Sequence, residues 1–188
     1  MKRVSKALGE YLDAFAASGE PFLDYYSFGP NASGPPRHEC FTRGEFWSLA
    51  RRSAHVLRAS GLARGDSFAN LLSGNRPGDL AFRLAAAMVG AVPVTINWQA
   101  DTPEVVEYKI GLTGCRLVLT DGGTAKESVD ALKGRLPGLA FFCIDELPSQ
   151  PELPEEDFCA ELDPDATRII IFTSSPSRRK VSAISTPI

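Results

Sequence analysis

The sequence is poor in histidine, and its cysteines are badly spaced for metal. His38 and His55 are the only histidines, and Cys40, Cys115, Cys143 and Cys159 form no C-x-x-C pair. Neighbouring residues therefore supply no zinc-ligand set. Cys115 and Cys143 sit in apolar contexts and read as small core residues, a usage that fits the cytoplasm or another reducing intracellular compartment. No apolar run is long enough to cross a bilayer, so no membrane span is expected. The opening stretch MKRVSKALGEYLDAFAASG lacks the apolar centre of a secretory signal, and Glu10 and Asp13 argue against a transit peptide. The spacing of Leu8, Leu12 and Phe15 predicts an amphipathic helix there instead. Basic side chains are scattered and not interleaved with aromatics, which argues against a nucleic-acid partner. Glycine is absent after Gly138.

What is present is enough for one substantial core: 188 residues, 44% hydrophobic, with a formal net charge of −3. The charge is unevenly placed. Residues 145–165 hold nine acids, four prolines and no base, while the rest of the chain carries 14 acids against 20 bases. That stretch reads as an extended surface connection, not a packed element. It divides the chain into an α/β unit over 1–144, an acidic proline-rich connection over 145–165, and a terminal strand with its following loop over 166–188.

Within the first unit, elements alternate. Phe22–Tyr26 reads as a short strand, followed by a Pro/Gly/Asn loop. Thr42 and Glu45 fit a capping box opening a helix that ends at Gly61, with His55 among arginines on its outer side. Strands follow at 67–72, 92–96, 116–120 and 139–144, and helices at 79–89, 102–112 and 126–136. Thr102-Pro103-Glu104 is a helix start: a capping threonine, proline in the first turn, an acid toward the positive end of the dipole. Asn97, Trp98 and Gln99 read as a packed loop. Strands alternating with helices across short loops predict an α/β fold with a mainly parallel sheet flanked by helices.

The last stretch carries the chemistry. Arg168–Phe172 is a β-branched run of the kind found in a strand covered on both faces. It runs into Thr173-Ser174-Ser175-Pro176-Ser177 and then Arg178-Arg179-Lys180. Strand, hydroxyl-rich turn and positive charge is the layout of a phosphate-holding loop. Thr173, Ser174 and Ser177 are its candidate ligands. An ordinary Ser/Thr/Pro turn ending a strand would read the same way.

From Gly61 to Asp121 the sequence resembles the N-terminal region of the adenylate-forming enzymes, the superfamily of acyl-CoA synthetases, peptide-synthetase adenylation domains and luciferases. Gly65-Asp66, Asn75, Pro77, Gly90-Ala91-Val92-Pro93-Val94, Asn97, Thr102-Pro103-Glu104 and Leu117-Val118-Leu119-Thr120-Asp121 carry the likeness, and the spacing to Thr42-x-x-Glu45 agrees. The resemblance implies a two-step ligase: ATP-dependent adenylation of a carboxylate, with Mg²⁺ sharing the charge, then thioester formation with a thiol, commonly coenzyme A. The family's phosphate loop reads approximately TSGTTGKPKG. Aligned from Phe172, Thr173 and Ser174 match, and Ser177 supplies a hydroxyl for a threonine. Ser175, Arg178 and Ser182 replace the three glycines, and Lys180 and Val181 replace the Pro-Lys pair. Side chains at glycine positions obstruct an anion or strain the turn, on the order of 1–3 kcal/mol for each strained residue.

By the same resemblance, the adenine- and ribose-contacting segments, the acidic metal ligand and the C-terminal domain with its catalytic lysine would lie beyond residue 188. The fold is thus expected to be incomplete relative to the family. No catalytic residue and no metal ligand is assigned within the chain, and ATP, Mg²⁺ and CoA are not expected to bind it tightly. The expectation is the N-terminal fragment of an acyl-activating ligase, inactive alone. Two alternatives stay open: a non-catalytic interaction module that self-associates or pairs with another chain through its unfinished sheet, and a nucleotide-binding fragment using Thr173, Ser174 and Ser177.

Overall fold

A computed structural model describes residues 18–28, 34–159 and 165–172, and the backbone of 181–184. The helix expected from Leu8, Leu12 and Phe15 lies outside the described residues. β1 (Pro21–Ser27) and β2 (Arg37–Thr42) form an antiparallel ribbon in which Asp24 faces Cys40 and Tyr26 faces His38. β2 was not legible as a strand, because RHECFT is polar at most positions and sits directly against the helix start. Thr42 serves both elements, ending β2 and capping α1 (Arg43–Ala59). Its hydroxyl accepts from the Glu45 amide at 3.2 Å, and the Glu45 carboxylate accepts from the Thr42 amide at 2.8 Å. This is the predicted capping box. Thr42→Ala is expected to cost about 1 kcal/mol, read as a lower urea midpoint at unchanged m-value.

The main sheet has the order β6-β5-β3-β4-β7-β8. β3 (Ser67–Asn70), β4 (Val92–Thr95), β5 (Leu117–Thr120), β6 (Ala140–Cys143) and β7 (Ile169–Phe172) run parallel. β8 (Val181–Ile184) returns antiparallel beside β7. The crossover helices are α2 (Pro77–Val89), α3 (Pro103–Thr113) and α4 (Lys126–Arg135). Strand residues alternate between two cores, as the period of two requires. Phe68, Leu117 and Leu119 point toward α1 and α2, whereas Ala69, Val94 and Val118 point toward α3 and α4. Gly90 closes α2 in the left-handed region at φ +77°, where a side chain would be strained. The mainly parallel α/β sheet is as the alternating pattern predicts.

Three expectations need correction. The acidic stretch is packed over its described residues 145–159. One 3₁₀ turn spans Ile144–Ser149 and another Glu155–Asp157, and between and beside them Leu147, Leu153 and Phe158 are buried in the core under α1 and α2. The Phe158 ring meets Trp47 edge-on at 5.9 Å, and Arg51 donates to the Leu153 carbonyl at 2.9 Å. Acids and prolines dominate the composition, but three apolar side chains decide the packing. Next, β7 is not covered on both faces. Ile170 and Phe172 pack toward α3, while Ile171 is 37% exposed, because the opposite core draws its strand residues from β3, β5 and β6. Last, Thr102 occupies the N-cap of α3 without a side-chain capping bond.

Candidate active-site crevice

The carboxyl ends of the parallel strands define one rim of the molecule. In an open α/β sheet, ligands settle where successive crossovers diverge to opposite sides. Here β3 passes to β4 and β5 passes the other way to β6, so the divergence falls between β3 and β5. The loops after these strands are locked together by Asp121. Its side chain is fully shielded from solvent. It accepts from the Ser73 amide and hydroxyl at 3.2 and 2.9 Å, from Arg76 Nε at 3.1 Å and from the Thr124 hydroxyl at 2.8 Å. Burial pushes this carboxyl up, but the bonds from Thr124, Arg76 and Ser73 outweigh it and hold the group below the usual carboxylate range. Arg76 also reaches Asp145, and the Asp145 carboxylate accepts from the Gly122 amide at 2.8 Å. Gly123 lets the two loops meet, since a Cβ there would overlap the Ser73 hydroxyl.

A second cluster lies toward β7. A cavity of about 350 Å³ opens at the ends of β3, β4 and β7, with Phe172 in its wall. Asn70, at the end of β3, donates to Asp79. Asp79 also accepts from Arg83 Nε at 3.1 Å, and Arg83 donates on to the Thr95 hydroxyl at 3.3 Å. Lys109 is buried, bonded to Asp101 at 2.5 Å, with its ammonium 4.8 Å from the Phe172 ring centre. Every charge in this floor has an opposite partner, so the crevice is polar but electrically balanced. Among the described residues, no set of three His, Cys, Asp or Glu side chains could hold a metal ion.

The predicted ligands Thr173, Ser174 and Ser177 lie outside the described residues. What is described is their approach: Phe172, the last residue of β7, pairs with Val181 of β8 and lines the 350 Å³ cavity. Sequence reasoning missed the Asp121 network, in which Ser73 and Arg76 sit 48 and 45 positions from Asp121; the Gly122-Gly123 pair after a strand was the available signal. It also misread Trp98. That loop is exposed, not packed, and Trp98 is 49% exposed between the 350 Å³ cavity and a neighbouring one. An Asx turn holds the loop, the Asn97 side chain accepting from the Gln99 amide at 3.2 Å while Asp101 accepts from the Asn97 amide at 2.9 Å. Those bonds are local and need no apolar packing.

Comparison with known proteins agrees with this architecture. The sequence matches the family model described as AMP-binding enzyme over residues 26–175. No curated protein matches it significantly. Among solved structures, the fatty acyl CoA synthetase of Mycobacterium tuberculosis superposes with a TM-score of 0.69 at 22% identity, covering 98% of this chain and 35% of that one. ATP-bound MatB of Rhodopseudomonas palustris gives 0.68 at 20% identity, covering 93% and 34%. The o-succinylbenzoate CoA synthetase (MenE) of Bacillus subtilis, in complex with the acyl-adenylate intermediate OSB-AMP, gives 0.64 at 22% identity, covering 78% and 36%. At these identities the likeness establishes the fold. The chain spans about a third of the length of these enzymes. With the family match running through β7 and three residues beyond it, the chain belongs to the AMP-binding enzyme family.

Proposed function

We propose that this chain is the N-terminal part of an acyl-activating ligase, which adenylates a carboxylate at the expense of ATP and passes the acyl group to the thiol of coenzyme A. The observation that carries the reading is the family match reaching through β7 into Thr173 and Ser174, the residues that align with the start of the family's phosphate loop. In the complete ligase, Thr173, Ser174 and Ser177 offer hydroxyls to the phosphates of ATP. The 188 residues alone neither hold ATP tightly nor turn over. Ser175, Arg178 and Ser182 stand where backbone amides must crowd an anion, and charge from Arg178 and Arg179 does not replace that cradle. Among the described residues no helix is long and apolar enough to cross a membrane. Cys40, Cys115 and Cys143 form no disulfide, a usage that fits the cytoplasm or another reducing compartment.

A second reading, a non-catalytic module that pairs with another chain or a second copy, draws on Ile171 of β7 and Leu80 of α2, which are 37% and 47% exposed. Carboxylate-dependent ATP–pyrophosphate exchange, run beside light scattering on the purified chain, separates the two. The ligase reading expects a 20.3 kDa monomer with no exchange above buffer and no saturable ATP binding below millimolar. A stable dimer would favour the module, and exchange by the isolated chain would overturn its inactivity.

A further inference from the structure

The second cavity on the strand rim does not include Phe172 among its described lining residues. It has a volume of about 300 Å³ and lies between the loops after β3 and β5 and the first turns of α3 and α4. We propose that it is a binding site for an uncharged, predominantly apolar small molecule.

Its position is the point where the β3 and β5 crossovers diverge, the place in an open α/β sheet where a concave site forms without any special device. Its walls include Leu71, Val106 and Leu132, all buried in the core toward α3 and α4, and half-exposed Trp98. Its volume is about twice the ~150 Å³ that accommodates benzene in an engineered protein cavity, which is room for a fused two-ring body or a medium aliphatic chain.

The polar groups of the lining identify the ligand's charge. No Lys, Arg or His lines the cavity among the described residues. Its one ionised side chain, Asp101, is neutralised by Lys109 at 2.5 Å. The Ser73 hydroxyl donates away from the cavity to Asp121 at 2.9 Å, and the Thr124 hydroxyl lies within reach of Asp121 and the Leu71 carbonyl at 2.8 and 3.1 Å. The Ser73 and Thr124 hydroxyls are therefore engaged with the loops, and the Ser128 hydroxyl is the remaining uncharged polar group of the lining. An anion would find no cationic side chain among the described lining residues, and a cation would compete with Lys109 for Asp101. A neutral apolar molecule displaces water from Leu71, Val106 and Leu132 and disturbs none of these bonds. The site is independent of the ligase reading, because it requires nothing from the phosphate loop.

The experiment is titration of the full 188-residue chain with N-phenyl-1-naphthylamine, a neutral probe that brightens in apolar surroundings, followed by displacement with 1-octanol or octanoate. The site predicts one saturable equivalent of probe, displaced at least tenfold more effectively by 1-octanol than by octanoate. Ser128→Leu, which places a larger side chain in the cavity wall, is expected to weaken the probe at least tenfold. Trp98→Ala provides a second variant should Ser128→Leu fail to fold, with the same direction expected. A triple serine replacement of Phe22, Tyr26 and Phe28, the exposed aromatics of the β1–β2 region, is expected to leave binding unchanged. Absence of saturable binding, equal displacement by octanoate, or loss in the triple variant with retention in Ser128→Leu and Trp98→Ala would each overturn the proposal.

Discussion

Phe82→Ala is expected to lower the stability of the chain by about 4 kcal/mol, the upper range for emptying a buried aromatic site. Phe82 is fully buried on α2, with its ring centre 6.2 Å from both Phe68 of β3 and Phe142 of β6. It therefore joins the helix to two strands separated in the sheet by β5. Truncation leaves a void flanked by rings on rigid strands, which cannot close over it. Set against a typical total of roughly 5–15 kcal/mol, such a loss leaves much of the chain unfolded in mild urea. Leu80→Ala, two positions earlier and half-exposed, should stay within about 1 kcal/mol. The check is the pair of urea midpoints. Equal shifts for the two variants would mean that α2 does not seat Phe82 in the core.

Asp121→Ala is expected to cost about 3 kcal/mol, for a different reason. The substitution leaves little space behind, but it strips an acceptor from Ser73, Thr124 and Arg76 together. Removing one partner of a buried charged network typically costs about 3–5 kcal/mol, and the lower end applies because Arg76 is a third exposed and keeps Asp145 at 3.7 Å. Asp121→Asn keeps an acceptor for Ser73 and should lose about half as much. The pH dependence gives an independent signature. The folded carboxyl titrates below its unfolded value of about 3.9, so its contribution is complete above that value and fades as pH falls through the lower, folded one. The stability gap between the native chain and Asp121→Asn should thus be constant from pH 7 to about 5 and shrink below about 4. A gap that widens on acidification would reverse the sign and contradict the assigned bonds.

Local signals in the sequence located the elements well, and long-range ones did not. Thr42 and Glu45 lie three residues apart and satisfy each other's neighbourhood, so their capping box could be read directly and is present. Gly90 and Pro103 mark helix ends for equally local reasons, whereas the helix expected from Asp79 begins at Pro77. β2 was hidden because its pairing with β1 is decided across a loop, by Asp24 facing Cys40 and Tyr26 stacked on His38 at 4.6 Å. The acidic stretch misled because composition reports what faces water, whereas Leu147, Leu153 and Phe158 report what faces the core. Arg51 and Arg52 clasp Glu152 from α1, a contact about 100 positions apart that no window of sequence contains. The β-branched run of β7 reads as doubly buried, yet Ile171 is exposed here, since that reading holds only if both sheet faces are covered. Cys115 read as a core residue and is one, its thiol pushed up to about 11 by burial, which leaves it unreactive.

The central claim is that this chain works as part of a larger acyl-activating ligase, and the size of the protein in its native cells tests it most directly. An antibody raised to residues 41–121, which include all of α1 and the crossovers through β5, should detect a single species roughly three times heavier than 20.3 kDa, in proportion to the third of the related enzymes that the chain spans. A single species at 20.3 kDa would contradict the ligase account and leave the interaction module as the reading to pursue.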